Sequence, residues 1–287
     1  MSLATIVANV AAEAGYTVES NIISSTETTT KQLLAITQRI NRDMFEAYPW
    51  PACYASASIT LVSGQATYAL PASFSWYQYE TFWNSSTRWR ILGPMSEQEY
   101  AEVRGFGLNT AVYQRFQIKG LSNNELLIYP TPGATNNGNV IVFQYIADRS
   151  VKPKTWTTST AFSANAYCFY NGNYYQTTAG GTTGATPPTH TSGSVSDGGV
   201  TWTYYDGAYS TFLADTDVSI FNEKLVELGV LERFAEIHGL DSIQPKFLNQ
   251  LHEEFGRTYT GKILYAGDQT RASMFARSGK AIFGTWI

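Results

Sequence analysis

Three kinds of residue in this sequence have the means to do chemistry: isolated histidines, neighbouring carboxylates and a dense run of aromatics. His190 falls in a Thr/Gly/Pro loop, and His238 and His252 fall near or within a C-terminal helical pattern. The separation of the last two exceeds the i, i+4 step that brings two imidazoles to one metal, so no metal site is expected. Asp215 and Asp217 are near neighbours, as are Glu253 and Glu254. A glycosidase needs two carboxyls converging across a bond at roughly 5–10 Å, and adjacent helical residues point apart. These acids read as caps and solvated faces, and no catalytic residue is assigned. Residues 180–188, GGTTGATPP, have the glycines of a phosphate loop without its lysine or its following helix, and read as a plain loop. Cys53 and Cys168 are too few and too far apart for a disulfide framework or a thiolate metal site. Two reduced, buried thiols are expected, and no cofactor.

The aromatics carry the one ligand-like signal. Trp156, Tyr170, Tyr174, Tyr175, Trp202, Tyr204 and Tyr205 crowd a stretch of about 50 residues, more than so small a core readily buries. Flat exposed rings stack on sugar faces while Asn and Thr bond the hydroxyls. Tyr170, Tyr174, Tyr175 and Trp202 are therefore the candidate glycan contacts. The competing reading makes Trp156 and Trp202 the staples of a small core.

Positioning these residues falls to helices at the two ends and strands between. Ile6, Val7, Val10, Ala11 and Ala14 recur at helical spacing, with Gly15 as a stop. A second helix is expected from about Thr26 to Tyr48, capped by Ser24 or Ser25 and ended by Pro49, with Leu33, Leu34, Ile36, Ile40, Met44 and Phe45 as its apolar stripe. Alternation and turn signals then predict a hairpin of 59–62 with 66–70 about Gly64. Further pairs are 77–83 with 88–92 and 113–119 with 126–129, followed by a strand over 140–146. Ser96 and Glu99 stand at capping-box spacing. Residues 155–206 form an island whose only charges are Asp197 and Asp206, with a hairpin expected about Asn171-Gly172-Asn173. Helical spacing returns with Phe221, Leu225, Leu228 and Ala235, capped by Asp217 or Ser219 and ended by Gly239. It resumes from Asp241 or Ser242 with Phe247, Leu251, Phe255 and Tyr259.

The expected fold is α+β: an antiparallel helical bundle of N- and C-terminal helices, a central β-sheet excursion and an inserted small all-β domain. Its parts are residues 1–50 with 209–265 (bundle), 51–150 (β-rich region), 155–206 (inserted domain) and 266–287 (C-terminal tail).

Composition narrows the function classes. The 287 residues carry 19 Lys+Arg against 23 Asp+Glu, a net charge of −4, and only 15% are charged, against roughly 25% in an average soluble protein. Hydrophobic residues make up 44%, enough for a sizeable core. The acidic balance and the lack of a basic stripe disfavour a nucleic-acid binder. No run reaches the roughly 18 apolar residues of a membrane span, and the N-terminus lacks the basic flank of a secretory signal. So little charge suits a protein whose surface is covered in an assembly.

Several stretches, in order, resemble the head-to-tail adaptor proteins of short-tailed bacteriophages. These are Leu34 to Arg42 with Pro49-Trp50, the Gly64 to Pro71 run GQATYALP, Phe116 to Gly120, Leu126 to Pro132, Val142 to Tyr145, and Phe212 to Asp217 ahead of the late helix. The island separately resembles small aromatic modules of phage virion proteins, distantly like chitinase-type carbohydrate-binding modules, through Trp156, Tyr170 to Gln176, Pro187-Pro188 and Asp197 to Trp202.

The adaptor resemblance implies a non-enzymatic homo-oligomeric ring, usually of twelve subunits, beneath the portal protein. Such a ring extends the channel through which genomic DNA passes and offers a surface to the next tail, nozzle or fibre protein. It implies a virion component at the capsid vertex, assembled in the host bacterial cytoplasm and free of membrane. The apolar and basic residues of the tail, Arg271, Met274, Phe275, Arg277, Lys280, Phe283 and Trp286, are the candidate portal-docking residues. Two other classes compete: a tail or host-surface protein that holds polysaccharide through the aromatic module, and a polysaccharide depolymerase, which lacks convergent carboxylates.

Overall fold

A computed structural model describes residues 1–106, 114–120, 124–239, 250, 253, 254 and 256. The fold is mixed α+β: helices α1 (Leu3–Ala14), α2 (Thr28–Ala47), α3 (Glu97–Gly105) and α4 (Glu223–His238) accompany several antiparallel sheets. The chain divides into two compact units, one taking in Met1–Pro51 and the described residues from Leu213 onward, the other Ala52–Phe212.

In the first unit α1, α2 and α4 pack against one another. Ile6, Val7, Val10 and Ala11 of α1 share a buried face, as do Leu33, Ile36, Ile40 and Met44 of α2 and Leu225, Val226, Val230 and Phe234 of α4. Trp50 folds back beyond α2, donating its indole N–H to the Met44 carbonyl at 2.6 Å and lying 5.1 Å from the Phe221 ring. Gly15 and Gly239 end α1 and α4 as expected, both in the left-handed region.

The helix starts differ from expectation. α2 begins at Thr28, and neither Ser24 nor Ser25 caps it. Ser25 instead accepts the Glu27 N–H at 3.1 Å, and Thr30 donates to the Glu27 carboxylate at 2.6 Å. The cap of α4 is Asn222, whose side chain accepts the Lys224 N–H at 3.1 Å. Asp217 and Ser219 are buried upstream and committed elsewhere: Asp217 accepts the Leu213 and Ala214 N–H groups at 2.8 and 3.0 Å, and Ser219 donates to Asn41 at 2.7 Å. The helix expected from Asp241 or Ser242 falls mostly outside the described residues.

The second unit opens with strands β1 (Tyr54–Thr60), β2 (Thr67–Ala69), β3 (Phe74–Tyr77), β4 (Trp83–Asn84) and β5 (Trp89–Arg90). After α3 come β6 (Arg115–Lys119), β7 (Glu125–Tyr129), β8 (Val140–Ala147) and β9 (Val151–Lys152). β8 is central to a five-stranded sheet, with β1 on one side and β3 and β4 on the other; β5 pairs with β4. β2, β7 and β6 form a three-stranded sheet.

The hairpin expected about Gly64 therefore does not form. The turn is there, with Gly64 at φ 83°, but it carries the chain from one sheet to the other. Burial outweighs local turn chemistry: β8 sets Ile141, Phe143 and Tyr145 opposite Ile59, Ala57 and Ala55, completing a core in which Phe82 stacks on Phe116 and Phe143 at 4.0 and 4.6 Å. Other expectations hold, among them the β6–β7 pair and the Ser96–Glu99 capping box, whose two bonds measure 2.8 and 3.1 Å; the pair expected between 77–83 and 88–92 is reduced to β4 with β5, and Tyr77 pairs with Tyr145 of β8 instead.

Within residues 155–206 lie β10 (Ala161–Phe162), β11 (Tyr167–Tyr170), β12 (Asn173–Thr177), β13 (Gly181–Thr182), β14 (Ser194–Asp197) and β15 (Val200–Tyr205). They form the sheets β11-β12-β15-β14 and β10-β13. β11 and β12 join through Asn171 at φ 48° and Gly172 at φ 86°, the left-handed pair a two-residue hairpin turn requires.

Candidate interaction surfaces

The aromatic run of 155–206 is where a ligand site was expected, and of its seven rings the structure buries three, Tyr174, Tyr175 and Trp202, and half-buries the other four. Trp202 and Tyr175 are fully buried with Phe162, Cys168 and Val200, and Tyr174 is 5% exposed. The Tyr175 hydroxyl donates to the His190 carbonyl and that of Tyr174 to the Val151 carbonyl, both at 3.0 Å. Tyr174, Tyr175 and Trp202 thus serve as core residues, and a buried ring has no face open to a sugar. Tyr170 is half-buried and meets Trp156 edge-on at 5.6 Å. The signal missed in the sequence was cationic: Arg149, Lys152 and Lys154 precede the run and lie over Tyr174, Phe169 and Phe162, 4.7, 4.3 and 5.2 Å from the ring centres.

Asp197 explains the glycine loop that superficially fits a phosphate. Its carboxylate, 4% exposed, accepts the Gly184 N–H at 2.9 Å and the Trp156 indole N–H at 2.8 Å. A side-chain carbon at Gly184 would sit 2.7 Å from the Asp197 oxygen. The loop thus binds an anion, and that anion is the protein's own carboxylate.

Asp215 and His238 also make structural contacts. Asp215 accepts the Ile23 N–H at 2.8 Å. His238 lies 4.3 Å from the Phe234 ring and 3.3 Å from the Gln32 side-chain oxygen; His252 is outside the described residues. Burial pushes the thiols of Cys53 and Cys168 up to about 12, with Asp148 and Asp197 respectively adding to the effect, so both stay protonated and unreactive at neutral pH. Among the described residues no cluster of His, Cys, Asp and Glu is arranged to hold a metal ion. No helix among them is long and apolar enough to cross a membrane. The portal-docking candidates Arg271, Met274, Phe275, Arg277, Lys280, Phe283 and Trp286 all lie outside the described residues.

A different surface emerges on the outward face of the five-stranded sheet. Register places Ser58, Val142, Trp83 and Arg90 in one row across β1, β8, β4 and β5. Trp83 is 45% exposed and Val142 37%, with Ser56, Ser58 and Thr60 exposed along β1. The charge in that row is paired, since Arg90 donates to Glu80 at 2.8 Å. The alternation of β1 was legible, but this row depends on pairing with β8, some eighty residues later.

Against known families, residues 1–174 match the model of the SU10 adaptor protein family. No curated protein matches the chain.

Proposed function

The chain belongs to the SU10 adaptor protein family, whose members are structural phage adaptors, and from that premise we propose that it is a head-to-tail adaptor forming a ring below the portal. The match over residues 1–174 carries this reading. The ring, of twelve subunits, extends the DNA channel and presents the surface to which the next tail or fibre protein attaches. Its role is steric and electrostatic: an acidic, weakly charged chain lets DNA slide past without holding it. In this reading α1, α2 and α4, with the helix expected from Asp241 or Ser242, form the antiparallel bundle of the adaptor body. Residues 155–206 are an inserted β module, and 266–287 dock on the portal through Phe275, Phe283 and Trp286 with Arg271, Arg277 and Lys280, as apolar anchors with basic partners suit an acidic groove. Burial of Tyr174, Tyr175 and Trp202 weighs against the polysaccharide-binding alternative.

Native mass spectrometry of the chain alone and with its cognate portal tests the proposal. The expected result is a free monomer that joins the portal as a stoichiometric ring. A chain that ignores the portal overturns it. Truncation after Tyr265 is expected to abolish portal binding, and unchanged binding refutes the docking role of the tail.

A further inference from the structure

Among the described residues, the outward face of the five-stranded sheet adjoins an open border. β1 ends the order β1-β8-β4-β5, and its seven residues, YASASIT, include no charge and no proline. Proteins that must stay apart protect such edges with a lysine, a proline, a bulge or brevity, because bare N–H and C=O groups pair with any strand that arrives. β1 has none of these devices and runs in unbroken register with β8 from Tyr54↔Ile146 to Thr60↔Val140. The face it carries is equally unguarded: exposed Ser56, Ser58 and Thr60 run beside Val142 and Trp83, and Arg90, in the same row, is paired with Glu80.

We infer that the β1 edge and this face receive a second copy of the same chain, side by side in the ring; the inference rests on the ring reading above. Charge selects the kind of partner. Holding DNA needs cations that neutralise its phosphates, and this face has none unpaired in its central row. An uncharged strand edge and sheet face fit a surface equally poor in charge, which a chain with 15% charged residues supplies from itself.

Size then sets the conditions for assembly. β1 spans ~23 Å and three strands ~14 Å, an area on the order of 300 Å², well below the roughly 800 Å² per partner of a stable complex. Two free copies do not hold together through this contact alone. Copies already held beside each other on a template do, since the contact then forms at the high effective concentration of neighbours. In a ring it is heterologous: β1 of one copy meets a different surface of the next, whereas β1 on β1 would stop at a two-fold dimer.

Benzoylphenylalanine at Ser58 of the full chain, irradiated on the cognate portal, reads the neighbour directly. Adducts between copies, mapped outside residues 54–60 of the partner, are expected. Adducts with the portal or a tail protein alone, or assembled rings without any adduct, overturn the inference. The double variant Ser56→Lys, Ser58→Lys places charge on exposed positions of the edge strand and is expected to melt as the wild type does. It should leave at least ten-fold fewer copies per portal; full occupancy by this variant also overturns the inference. A wild-type chain that fails to join the portal removes the ring reading itself, and the inference with it, an outcome distinct from rings that assemble without this contact.

Discussion

Two stretches of the second unit are rich in aromatics and put them to opposite use. In 155–206 the rings turn inward: Trp202 and Tyr175 build a core, and Arg149 and Lys152 cover Tyr174 and Phe169. In the five-stranded sheet Trp83 stands 45% exposed beside Val142. Aromatic density therefore does not locate a binding surface. A ring marks a contact only where the fold leaves its face uncovered, and that is decided by strand pairing and by neighbouring cations, neither of which composition reveals.

The largest expected effect acts on both regions alike. Cys53, just ahead of β1, and Cys168, on β11, have thiols raised to about 12 from an ordinary value near 9, and burial also raises Tyr77 and Tyr145 of the sheet and Tyr167 and Tyr175 of 155–206. Below about pH 9 the thiols keep their protons whether the chain is folded or not, and no stability is lost. Between about 9 and 12 only the unfolded chain releases them, so stability should fall steadily as pH rises through that window. Urea midpoints at pH 7, 9 and 11 check this, and a flat profile contradicts it.

Trp202→Ala separates the regions: emptying its buried site should cost about 4 kcal/mol, read from urea unfolding as a loss in 155–206. Arg149→Ala comes next. Its side chain, 12% exposed, donates to the Tyr205 and Gly207 carbonyls at 3.1 and 3.3 Å and lies over Tyr174. Its loss should cost about 2 kcal/mol, with hydrogen-exchange protection falling first around residues 205–209. Ser96→Ala removes one bond of the α3 capping box and should cost about 1 kcal/mol, seen as faster exchange within α3. Trp83→Ala is the smallest, within about 0.5 kcal/mol. A larger destabilisation from Trp83→Ala than from Trp202→Ala would invert the comparison.

Local signals were legible where the chain answers to its own neighbours. Gly15 and Gly239 end helices, Ser96 and Glu99 cap one, and Asn171-Gly172 turns a hairpin, because each acts within a few residues. What escaped was long-range. β1 reads as half of a hairpin until β8 supplies Phe143 and Tyr145, and Asp217 reads as a helix cap until the Leu213 and Ala214 amides claim it. The burial of the aromatics was illegible for the same reason: Trp202 and Tyr174 look like display aromatics until Phe162 meets Trp202 at 4.9 Å and Phe169 and Tyr209 meet Tyr174 at 5.3 and 5.7 Å.

The two strands of chain that lead into and out of 155–206 are bonded to each other. Tyr209 N–H donates to the Asp148 carbonyl at 2.8 Å, and its carbonyl accepts the Val151 N–H at 3.1 Å. Departure and return thus lie one strand spacing apart, about 5 Å. Such a junction works as a socket: the whole segment can be exchanged for a short turn, or for another domain whose ends are equally close, while the sheet beneath keeps its register.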